Sequence, residues 1–102
     1  MNEKYIVYVD DNFHYMDEDE RYQFGEFDTL EEAITECKSI VDRSLADLIG
    51  QIKETPNAEK LYKMYVCFGE DPWISHPTES GLSEKFSAWG YAKEQAKKMC
   101  GE

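Results

Sequence analysis

Between Asp10 and Glu20 the chain reads DDNFHYMDEDE, its densest run of side chains able to do chemistry. Carboxylates stand at Asp10, Asp11, Asp17, Glu18, Asp19 and Glu20. Clustered carboxylate oxygens suit hard cations such as calcium or magnesium. An EF-hand spacing begins at Asp17, with Asp19 in the third place, and then fails. Arg21 falls at the fifth place, Tyr22 where the turn needs glycine, and Asp28 where a glutamate should close the loop. A looser divalent-cation site on Asp10, Asp11, Asp17 and Asp19 remains as the metal reading, set against a plain solvated acidic loop. Phe13, Tyr15 and Met16 lie among these carboxylates. Aromatic faces beside carboxylates can cradle a cationic or peptide ligand, or they can fold back and pin the loop to a sheet edge. Asp11, Phe13, His14, Tyr15, Asp17 and Asp19 are therefore the expected binding surface.

A second segment, GEDPWISHPTESG from Gly69 to Gly81, carries Trp73 between prolines. A tryptophan in such a loop can anchor an interface or plug the end of a core, and Trp73 joins the expected binding surface. Cys67 and His76 could meet as a thiolate pair, although a strand cysteine is more often an inert core residue. Neither histidine belongs to a zinc-type spacing, and no Cys-x-x-Cys is present. Nucleophile-elbow, Walker and Gly-x-Gly-x-x-Gly motifs are absent too. No catalytic residue and no cofactor is expected.

The 102 residues hold 22 acidic against 11 basic side chains, a net charge of -11. That opposes binding to nucleic acid, whose phosphates need Lys and Arg, and to anionic membranes. It favours solubility and basic or cationic partners. An acidic decoy that mimics nucleic acid is a further, separate reading. Without a membrane-length apolar run or a signal-type N-terminus, the expected location is the cytoplasm. Three widely spaced cysteines, Cys37, Cys67 and Cys100, do not form a disulfide framework. Cys37 and Cys67 are expected to be buried thiols.

The elements that must position these residues centre on Thr29–Ile49. Its apolar residues, from Leu30 through Ala33, Cys37, Ile40, Val41 and Leu45 to Leu48, follow helical spacing. Thr29 and Glu32 form a capping-box pattern at its start. The helix ends at Gly50, in a left-handed turn, or continues to Lys53. Lys4–Val9 predicts a central strand and Arg21–Phe27 its antiparallel partner, with Gly25 marking a bulge. Thr55–Glu59 reads as a turn and Lys60–Phe68 as a third strand. Gly69–Gly81 reads as a loop. A last helix reaches Cys100, with Ser87 the preferred cap because it places Gly90 in the first turn.

The expectation is a single α+β domain over residues 1–102, ordered β-β-α-β-α. It is a two-layer sandwich, with a three-stranded antiparallel sheet and two helices on one face. Leu61, Tyr65 and part of the Tyr5–Val7–Val9 face are left over. A loop or a second copy could cover them, and a homodimer is the expected assembly.

The stretches VDDNFHYMDEDERY, GEFDTLEEAI and FSAWGYAKEQA resemble a family of small bacterial proteins with no established activity, so that resemblance implies no site. GEFDTLEEAITECKSIV also resembles the strand-to-helix step of HicB-like antitoxin domains, which implies an antitoxin-like regulator. The Pro-Asp-x-Pro-Gly-type segment of those domains is replaced here by ERYQF. The sequence does not say what the protein does. It favours an acidic binding or interaction protein without catalytic activity, whose partner is a protein or a second copy. The alternatives are the Asp10–Glu20 cation site, the Cys67/His76 enzyme and the regulator.

Overall fold

The computed structural model describes residues 3–11, 21–52 and 55–102. Phe13, His14, Tyr15, Asp17 and Asp19 lie outside them. In chain order the elements are β1 (Tyr5–Asp11), β2 (Tyr22–Phe27), α1 (Leu30–Ile49), α2 (Ala58–Phe68), β3 (Glu70–Ser75), the single turn α3 (Leu82–Lys85) and α4 (Ala88–Met99).

β1 is the central strand of an antiparallel sheet ordered β2-β1-β3, as its two apolar faces require. Val7 and Val9 are buried on the face turned to α1. Opposite Gly25 and Gln23 the β1–β2 register shifts, which places the bulge at Phe24, next to the glycine that announced it.

The third strand is not Lys60–Phe68. That segment lies in α2, and the strand is Glu70–Ser75, within the expected loop. Over nine residues KLYKMYVCF satisfies a period of two and a period of 3.6 almost equally well. Asn57 decides between them. Its side chain accepts a hydrogen bond from Lys60 N at 2.8 Å, capping the free end of a helix. Pro72 lies inside this strand. An edge strand tolerates a missing backbone donor, and β3 is an edge.

The order is thus β-β-α-α-β-α-α rather than β-β-α-β-α. Two helices on one face give way to a different arrangement. The first half of α1 lies on the sheet, and Ala33, Cys37 and Ile40 join Val7, Val9 and Ile74 in one core. Its second half leaves the sheet. There Val41, Leu45 and Leu48 join Ala58, Leu61 and Tyr65 of α2 and Ala88, Ala92 and Ala96 of α4 in a second core. Leu61 and Tyr65 are fully buried rather than left over on a sheet face. Each large apolar side chain removed from water contributes about 1.5–3 kcal/mol.

The caps of α1 and α4 stand where their sequences place them. Thr29 Oγ1 accepts from Glu32 N at 3.2 Å and donates to Glu32 Oε1. Ser87 caps α4 through Gly90 N. Gly50 ends α1 in a right-handed conformation, φ -66°, so the left-handed alternative is not used.

Candidate binding groove

α2 and α4 each have a stripe that faces the core and a stripe that does not. On α4 the inner stripe is Ala88, Ala92 and Ala96, all buried. Alanines let helices approach closely. One position further on, at the same four-residue spacing, stand Trp89, Lys93 and Lys97. On α2 the core takes Ala58, Leu61 and Tyr65, leaving Tyr62, Lys63, Val66 and Cys67 beside them. These two outer stripes wall an open groove of about 780 Å³. Glu102 closes one end, its carboxylate accepting from Ala58 N at 2.7 Å. That contact also supplies an anion to the positive end of the α2 dipole.

The groove's floor is apolar, from Tyr62, Val66 and Trp89. Its rim is charged. Lys63 pairs with Glu59 at 3.0 Å, one turn away on the same helix. Lys93 and Lys97 line the opposite wall with no ion-pair partner among the described residues. A groove of this volume is within the usual range for ligand sites.

Comparison with protein-family models, curated proteins and solved structures finds no match.

Among the residues expected to act, Cys67 is exposed, not buried, because α2 turns it outward into the groove. His76 follows β3. Its Nδ1 accepts from Thr78 N and Glu79 N, its ring lies 4.4 Å from that of Tyr5, and its Nε2 is 3.8 Å from Glu3. Cys67 lines the α2–α4 groove and His76 does not. Cys37 is buried as expected. Burial above all, then the nearby Asp71 and Glu36, pushes its thiol up to about 12.

Trp73 is a strand residue rather than a loop residue. On the sheet face turned away from α1 its ring stacks on Tyr8 at 4.9 Å, and Arg21 lies 5.0 Å from it. Its indole N–H is buried without a hydrogen-bond partner among the described residues. The same Arg21 donates to Asp10 at 2.6 and 3.3 Å, so this metal candidate is already engaged by a cation. Asp11 ends β1 opposite Glu70, while Asp17 and Asp19 lie outside the described residues. Among the described residues no three His, Cys, Asp or Glu side chains gather as metal ligands.

Asp71 sits directly across from Asp10 in the β1–β3 ladder. Burial, and secondarily the Asp10 charge, pushes its carboxyl up to about 6. It lines a cleft of about 370 Å³ with Trp73, Phe86 and Trp89. A perturbed carboxyl in a cleft is a functional-site signal. Here burial accounts for most of the shift and the Asp10 charge across the ladder for the rest. The one hydroxyl on the cleft wall, Ser87, is occupied in capping α4. The cleft thus lacks an activated nucleophile, and the α2–α4 groove is the stronger site.

Sequence reasoning missed the groove because it made α2 a strand. The signal that could have found it was Asn57 followed by apolar residues at three-and-four spacing, Ala58, Leu61, Tyr62 and Tyr65.

Proposed function

We propose that this protein acts by binding, without catalytic activity of its own, and that the α2–α4 groove is its recognition surface. The observation that carries this reading is the groove's composition. Tyr62, Val66 and Trp89, each half-buried against the core, present their remaining apolar surface along two helices, and the charged groups lie at the rim. Apolar surface kept open beside a polar rim is how interaction sites differ from ordinary protein surface. The chain's unusual acidity keeps such a surface soluble while it waits for a partner. The partner is a protein, because the groove is open along its length and an occupant must bring its own water-facing side.

An uncharged dye tests the apolar part of this reading alone. Nile red fluorescence should rise on addition of the wild-type protein. It should stay near its free value with Val66→Glu, which places a charge on the groove floor while circular dichroism confirms the fold. Equal fluorescence with both proteins would locate the apolar surface elsewhere and end this reading.

A further inference from the structure

Resting on the groove as a binding surface, we infer that its occupant is an amphipathic helix of a partner protein, with apolar anchors on one side and carboxylates flanking them. The argument begins with charge. The chain carries 22 acidic and 11 basic side chains, yet three of those bases, Lys63, Lys93 and Lys97, border this one groove. The two acids that also border it are engaged within the chain. Glu59 holds Lys63, and Glu102 accepts from the first amide of α2. Lys93 and Lys97 are left one helical turn apart on a single wall, exposed and without an ion-pair partner among the described residues. On a protein with a large excess of carboxylates, two cations unpaired among the described residues and set beside apolar rings are complementary to an acidic partner.

Their spacing adds geometry. Trp89, Lys93 and Lys97 form a single row along α4, apolar first and then twice basic. A helix laid beside that row would insert an apolar side chain between Trp89 and Val66. Acidic side chains one and two turns further along would reach Lys93 and Lys97. Helix-in-groove recognition of this kind reads anchors at three-and-four spacing. An acyl chain would meet the same chemistry, but the open groove would leave one side of it in water. A helix turns its own polar side outward.

The test uses two synthetic peptides of roughly 15 residues. Both have leucine and phenylalanine at the start of one helical face and a neutral polar opposite face; one and two turns further along the apolar face, one peptide carries glutamate and the other lysine. Binding of each fluorescently labelled peptide to the full-length chain is followed by anisotropy at two salt concentrations. The glutamate peptide should bind about tenfold more tightly than the lysine peptide, and added salt should shrink that gap. The Lys93→Glu/Lys97→Glu variant should reverse the preference. Equal binding of both peptides would overturn the acidic occupant, and with Nile red still bound at Val66 the groove itself would stand. Decanoate binding that the double variant abolishes, with neither peptide binding, would assign the site to a small amphiphile and overturn the inference. Self-association of the wild type that the same variant abolishes would make a second copy the occupant, with the same consequence.

Discussion

Tyr65 Oη donates a 2.6 Å hydrogen bond to the backbone carbonyl of Glu70, five residues ahead. The bond joins the last turn of α2 to the first residue of β3 and fixes the sharp change of direction between them. Gly69 sits inside the turn. A Cβ there would lie 2.4 Å from the Tyr65 ring and 2.8 Å from the Tyr65 carbonyl oxygen, which leaves no room for alanine.

Two substitutions should therefore destabilise the fold by different routes. Tyr65→Phe keeps the packing and leaves the Glu70 carbonyl without its donor, at a cost of about 1 kcal/mol. Gly69→Ala must displace the ring or the backbone and should cost more, about 1–3 kcal/mol. Urea denaturation measures both. An alanine variant as stable as wild type would show that the turn is looser than described.

Asp71 should make stability fall as pH rises through the weakly acidic range. Its folded carboxyl titrates at about 6 against an unfolded value of 3.8. A raised carboxyl is most stabilising while protonated, so its contribution is full below about pH 4 and is lost as pH rises through about 6. Partial exposure weakens the full linkage energy, leaving about 1–2 kcal/mol. Asp71→Asn should be more stable than wild type by that amount at pH 8 and lose the advantage near pH 4. Urea titrations at pH 4, 6 and 8 decide it, and a constant difference across the range would rule the linkage out.

The thiols should separate by reactivity. In a Cys100→Ser background at pH 7.5, a maleimide should modify Cys67 in the native protein, because α2 exposes it. Cys37, buried against the sheet with its thiol pushed up to about 12, should react only after unfolding. Mass spectrometry of labelled peptides reads both sites. A bulky adduct on Cys67 should also suppress Nile red binding, since that side chain lines the groove.

Asp42 ties α4 to α1. Tyr91 Oη donates to its two oxygens at 3.0 and 3.1 Å, and Gln95 Nε2 donates at 3.0 Å. Burial and then the Asp42 hydrogen bond push the Tyr91 phenol up to about 12. Asp42→Ala should cost about 1–2 kcal/mol by orphaning both donors. In a double-mutant cycle with Tyr91→Phe the two losses should be less than additive. Strict additivity would mean that the contact carries no coupling.

Local chemistry was enough to specify several elements. Thr29 with Glu32, and Ser87 with Gly90, mark helix starts whatever surrounds them, because a cap needs only the amides of the next turn. The apolar residues of Tyr5–Val9 require cover on both faces, hence a central strand, and Gly25 marks the bulge. The α+β class, with its three-stranded antiparallel sheet, follows from these pieces. The identity of the third strand does not. KLYKMYVCF fits either period, and EDPWIS contains a proline that only an edge position permits. Which segment pairs with β1 is therefore settled by long-range contacts, with Val7 and Val9 opposite Ile74 and Pro72. The groove inherits that decision. Lys97 and Lys98 are legible as a basic last turn of helix, and Tyr62 and Val66 as apolar residues. Only the packing of α2 against the alanine stripe of α4 brings the two sets together and leaves the space between them open.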